Sequence, residues 1–242
     1  MNLLFVDRLA GIFLVDALGG TGYTDEVIGD QGERLGGFIV LDAGVLQRLS
    51  ANEWATWKEW TPFKPEPPWQ LEARIERDAQ DSQRNAIQYI LLHELGHVLS
   101  VGANFHPPWT ISPKEAGPAQ SYPFFGLSWQ VKDERYASRF DDAFTLRSDV
   151  VYYAQPKLPA SRMVEVYSQL SRTNFPSLYA ATRPGDDFAE AFANYVHVVM
   201  MGRPWSITIR RGGEVVQETG ACWEEPRCAA KRRLLEGLFQ PP

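Results

Sequence analysis

Apolar residues recur along this chain with two different periods, and each change of period marks an element. "GIFLVDAL" (11–18) and "GGFIVLDAG" (36–44) are β-rich runs, and the Gly/Asp-rich segment between them suits a hairpin or meander. "LSANEWATWKEW" (49–60) predicts a short helix, ended by the Pro-rich "TPFKPEPPW" (61–69). In "QLEARIER" (70–77), Leu71, Ala73 and Ile75 alternate with charged residues, the pattern of a half-exposed strand. The clearest element follows. Ala86, Ile87, Ile90, Leu91, Leu95, Val98 and Leu99 keep helical spacing behind a capping Asp81 or Ser82, and Gly102 is a natural stop. Residues 103–135 lose periodicity and hold five prolines among glycines and aromatics, which predicts a long ordered loop of functional kind. Helices are predicted again over 160–172, 186–202 and 225–239, with a hairpin around Gly212-Gly213 at 206–218.

Composition narrows the class. The 242 residues can bury a real core, either as a β-rich subdomain (1–69) before a larger domain (70–242) or as one continuous domain, 1–242. Hydrophobic content of 44% and charged content of 22% are those of a globular protein. The net charge is −6 and no basic run occurs, which argues against nucleic acid or an anionic membrane as partner. Apolar stretches fall far short of the roughly 20 residues that span a bilayer. The opening "MNLLFVDRLAGIFLVDALGG" is broken by Asp7, Arg8 and Asp16 and reads as strands, not as a leader. Cys222 and Cys228, in "CWEEPRC", admit either a small disulfide loop or two buried thiols. A disulfide would place the protein in an oxidising compartment, periplasmic or secreted; cytoplasmic is the alternative.

The chemistry concentrates in "QYILLHELGHVLSVG" (88–102). The chain has only four histidines, and two of them stand four residues apart in the strongest helix. One turn separates His93 from His97, so both imidazoles share a face and can grip one zinc ion, with Glu94 beside it to take a proton from bound water. A catalytic zinc needs a third protein ligand and an open position. The offsets after "HELGH" that a metzincin fills with glycine and histidine hold Ser100 and Ala103, which excludes that class. His106 lies in the Pro-rich loop without supporting geometry. In "DDFAEAFANYV", Glu190 is a carboxylate in an apolar helix segment, costly unless paired or metal-bound, and is the expected third ligand. Asn194, one turn further, is placed to orient a ligand histidine, and Asp187 lies one turn before on the same side.

"HELGH" followed by a helix carrying Glu190 and Asn194 resembles the gluzincin pattern of zinc metallopeptidases. "DFAEAF" is more similar to the ligand helix of the anthrax lethal factor group and of bacterial zincin-like proteins. The resemblance covers the two helices and the segment before the second; Asn194 departs from it, since an aspartate is usual there. It implies an α+β, zincin-like fold, with a small mixed or antiparallel sheet packed on the metal helix and a second ligand-bearing helix. It also implies that Tyr179, in "SLYAATRPGDDFAE", donates a hydrogen bond to the oxyanion, with Tyr195 or His197 as substitutes.

These expectations add up to a zinc metallopeptidase acting on a peptide or protein substrate, with Zn2+ held by His93, His97 and Glu190 and with Glu94 as general base. The strand "QLEARIER" is the expected docking edge for an extended peptide. A catalytically silent zincin-like binding protein and a closed structural zinc site are the alternatives.

Overall fold

The computed structural model describes residues 7–240 and shows a mixed α+β fold of small sheets and several helices. Strands β1 (Leu9–Val15), β2 (Gly22–Ile28) and β3 (Arg34–Asp42) form one sheet in the order β1-β3-β2. β1 runs parallel to β3, and β2 antiparallel to it. The runs 11–18 and 36–44 are therefore neighbours but not a hairpin. The Gly/Asp-rich segment between them supplies a strand of its own, β2, whose polar residues mask its pattern. β3 is the buried strand, with Ile39 and Leu41 inside the core.

A short α1 (Ala43–Leu46) leads to α2 (Ala51–Trp60). Ser50 caps α2 by a reciprocal pair of hydrogen bonds with Glu53, satisfying two donors that the helix start leaves open. Asp81 accepts from Ser50 Oγ and from Asn52 N, both at 2.9 Å, tying that start to the segment before the next helix. β4 (Phe63–Lys64) pairs with β8 (Leu158–Pro159); β5 (Trp69–Arg74) forms an edge of a sheet with β9 (Ser206–Arg211) and β10 (Glu214–Gly220), in the order β10-β9-β5. Helix α3 (Gln83–Ser100) follows, capped by Ser82 rather than Asp81, and Gly102 turns the chain away at φ +68°.

The long loop is ordered around α4 (Phe125–Ser128) and a hairpin of β6 (Trp129–Lys132) and β7 (Arg135–Ser138). Helix α5 (Met163–Leu170) precedes α6 (Pro184–Tyr195), which a π-helical turn extends over Val196–Met200. β9 (Ser206–Arg211) and β10 (Glu214–Gly220) form the expected hairpin, and α7 (Ala229–Leu238) closes the described chain. Among the described residues no helix is long and apolar enough to cross a membrane.

Two contacts set the position of α6. Gly96 of α3 lies against Ala189: a Cβ at Gly96 would sit 2.8 Å from Ala189 Cα, so only glycine permits this approach. On the far side, Lys231 of α7 pairs with Asp187, and both are fully buried. Trp129 Nε1 donates to the other oxygen of Asp187 at 3.0 Å. Cys222 and Cys228 are joined in a disulfide near the start of α7, with Cα atoms 5.8 Å apart. One cluster of buried apolar residues runs from Ile39 to Leu235, on both sides of residue 69.

Candidate metal centre

His93 and His97 project from one face of α3, as their four-residue spacing dictates. Their Nε2 atoms lie 3.2 Å apart. Two ligands on a tetrahedral zinc, each at roughly 2.0–2.1 Å, are themselves about 3.3 Å apart. The pair therefore has the separation that a shared ion requires. The carboxylate that converges with this pair is Asp186; Glu190, the expected third ligand, lies elsewhere. Asp186 Oδ1 is 3.6 Å from His97 Nε2, and the ligand atoms of His93, His97 and Asp186 all lie within 4.8 Å of one another, so these three could hold a metal ion. Asp186 stands in the first turn of α6, where the positive helix end favours a carboxylate, and Thr182 Oγ1 donates to its Oδ2 at 3.1 Å.

Glu190, one turn deeper, lies behind His93. Its Oε1 is 3.0 Å from His93 Nδ1, the ring nitrogen that faces away from His97. The same oxygen is 2.7 Å from Lys58 Nζ, and Ser177 Oγ donates to Oε2 at 2.6 Å. With both oxygens engaged, Glu190 does not join the Nε2 pair. A carboxylate on the outer nitrogen of a ligand histidine orients the ring and fixes its tautomer, which is the task the sequence reading gave to Asn194. Asn194 instead accepts from Trp223 Nε1 at 2.7 Å and lies within 3.5 Å of Tyr89 Oη. Asp187 is likewise no orienter of a histidine, being taken up by Lys231 and Trp129. Comparison of the chain with family models, with curated proteins and with solved structures gives no match.

Beside the His93, His97 and Asp186 group a cleft of about 990 Å³ opens, lined by Glu94, Tyr179, His106, Trp109 and Tyr153 among others. Thr24 Oγ1 donates to Glu94 Oε2 at 2.8 Å. Burial pushes the Glu94 carboxyl above its usual range, only partly offset by His93. Burial also pulls His97 well below the ordinary imidazole value, and the neighbouring His93 adds to this. For His93, burial acts in the same sense but the Glu190 contact outweighs it. Burial would raise Glu190, yet the Lys58 charge and His93 hold it well below the carboxylate range.

Tyr179 lines the cleft with its ring 5.5 Å from that of His93. Its two named substitutes are elsewhere. His197 Nε2 lies 2.7 Å from the Ile75 carbonyl, and Tyr195 packs on Trp223 and Phe239. His106 reaches the cleft from the Pro-rich loop. Its Nδ1 is 2.7 Å from the Pro107 carbonyl, and its buried Nε2 has no hydrogen-bond partner among the described residues. The strand beside the cleft also differs from expectation. β5 borders the cleft nowhere, whereas Gly22, Tyr23 and Thr24 of β2 line it, and β2 is an edge strand.

Sequence reading missed Asp186, Lys58, Ser177 and Thr24. One signal was available: Asp186 and Glu190 stand four residues apart, the same single turn that separates His93 from His97. Lys58 carried no signal, because a lysine in a short amphipathic helix reads as solvated.

Proposed function

We propose that this protein is a zinc-dependent hydrolase of the zincin-like kind, a metallopeptidase. The observation that carries the reading is the convergence of His93 Nε2, His97 Nε2 and an Asp186 carboxylate oxygen beside Glu94, at the floor of an open cleft. Zinc bound by these three ligands would supply Lewis-acid polarisation and a bound water of pKa near ~7.

The chain's own groups account for the rest. Glu94 is the proton acceptor. Thr24 holds its Oε2, leaving Oε1 able to take the proton of the attacking water and deliver it to the leaving nitrogen. Its raised carboxyl affinity for protons suits that shuttle. Tyr179, at the cleft wall, is the donor proposed for the developing oxyanion. Among the described residues no strand pairs with the outer edge of β2, whose main-chain groups face the cleft at Gly22, Tyr23 and Thr24. An extended peptide satisfies them by adding a strand, which favours a peptide over a smaller substrate. A closed structural zinc site would need a fourth protein ligand; the triad instead opens onto the cleft. The buried disulfide favours a periplasmic or secreted setting for this activity.

The test combines metal analysis with one substitution. Purified full chain should carry close to one zinc per molecule. Glu94→Gln should keep that zinc while hydrolysis of a peptide library falls by several orders of magnitude. Zinc-free protein from a chelator-free preparation sinks the metal reading. Zinc-loaded wild type that leaves the whole library intact sinks the peptidase reading.

A further inference from the structure

Lys58 is a lysine with 4% of its surface exposed, in the last turn of α2. An ammonium group is expensive to bury without partners. Here its Nζ lies 2.7 Å from Glu190 Oε1 and stands over the rings of Tyr179, at 4.5 Å, and Trp54, at 5.6 Å. The adjacent Glu59 contributes charge nearby, while its Oε2 accepts from the hydroxyls of Tyr152 and Tyr167, each at 2.8 Å. The hydrogen bond of the lysine goes to Glu190. Glu190 Oε1 in turn sits between Lys58 Nζ and His93 Nδ1, while Ser177 fixes the other oxygen. The three side chains come from α2, α6 and α3 and meet behind the metal triad.

We infer that Lys58 is a positioning residue of the metal site, acting through Glu190 on the His93 imidazole. The inference rests on the metal-site reading above. Ser177 alone constrains one oxygen of Glu190 and leaves the carboxylate free to rotate about it. Lys58 supplies the second fixed point and turns Oε1 toward Nδ1. A carboxylate oxygen 3.0 Å from Nδ1 favours the ring proton on that nitrogen, so that Nε2 presents its lone pair next to His97 Nε2. The lysine thus helps a metal bind without touching it.

The experiment measures zinc affinity of the folded full chain by competition with a chromogenic chelator, using zinc alone as the probe. The proteins compared are wild type, Lys58→Met, Glu190→Gln and the double variant, with circular dichroism to verify folding. Lys58→Met should weaken zinc binding about 10–100-fold, the usual cost of losing an outer partner of a ligand histidine. The double variant should bind zinc no more weakly than Glu190→Gln alone, because the hydrogen bond to Glu190 is the contact through which Lys58 orients the imidazole. Should Lys58→Met fail to fold, Lys58→Gln replaces it under the same criteria, its shorter neutral amide being easier to bury. Wild-type zinc affinity in the Lys58 variant, or losses that multiply in the double variant, overturns the inference while leaving the metal site standing. Wild-type protein that binds no zinc removes the metal reading itself.

Discussion

Asp186 and Glu190 occupy one face of α6 a single turn apart, and depth alone divides their work. Asp186 is at the cleft wall with an oxygen turned to His97; Glu190 is 1% exposed and enclosed by Lys58, Ser177 and His93. Asp186→Asn should therefore remove a ligand and lower zinc affinity by well over the 10–100-fold expected of Glu190→Gln, which retains an amide oxygen to accept from Nδ1. Equilibrium dialysis against zinc separates the two, and the reverse ranking would return the third-ligand role to Glu190. At this scale His93, Glu94 and His97 were legible because a helix puts residues four apart on one face whatever surrounds it. Glu190 was legible only as a carboxylate that needed a partner. Which partner it takes depends on Lys58, 132 positions away, and no local pattern carries that information.

Whole elements hold the triad together, above all the packing of α3 on α6. Gly96, within "HELGH", is the point of closest approach. A Cβ there would lie 2.8 Å from Ala189 Cα and 3.2 Å from Ala189 O, against backbone that cannot swing aside. Gly96→Ala gains up to about 1 kcal/mol of helix propensity, but overpacking of this kind costs typically ~1–3 kcal/mol. The expected balance is a melting temperature lower by a few degrees, with weaker zinc binding because Asp186 and Glu190 ride on the displaced α6. An unchanged melting temperature and unchanged zinc affinity would show that the interface yields at no cost. The helices themselves were legible: α3, α5, α6, α7 and the β9–β10 hairpin all follow their apolar periods. β2 was not, since "GYTDEVI" places polar residues where one face meets the cleft and the other meets solvent. The strand that borders the site therefore has the weakest hydrophobic pattern in its sheet. β5, with the cleaner alternation, belongs to a different sheet.

The molecule as a whole encloses ionisable groups around one cleft, and its stability must register their protonation. Its topology was hidden from local patterns, because β1 pairs in parallel with β3 and α7 reaches back to Asp187, contacts set by the entire chain. The consequence for pH is clearest at His106, which no ion pair offsets among the described residues. Burial, opposed only in part by the Pro107 carbonyl, pushes this imidazole down to about 4, from an ordinary value near 6.5. The folded chain thus keeps His106 neutral while the unfolded chain protonates it. As pH falls from about 6.5, the unfolded state binds the extra proton and stability drops; below about 4 both states carry it and this contribution levels off. The full shift corresponds to about 3 kcal/mol, or roughly 6–12 °C for a chain of this size. His106→Gln is neutral at every pH. Its melting temperature should therefore fall less than that of wild type between pH 7 and pH 4.5. Metal-free protein in chelator keeps loss of zinc out of both curves. Two parallel curves across that interval would mean that His106 is solvated or paired in solution, and would remove it from the buried wall of the cleft.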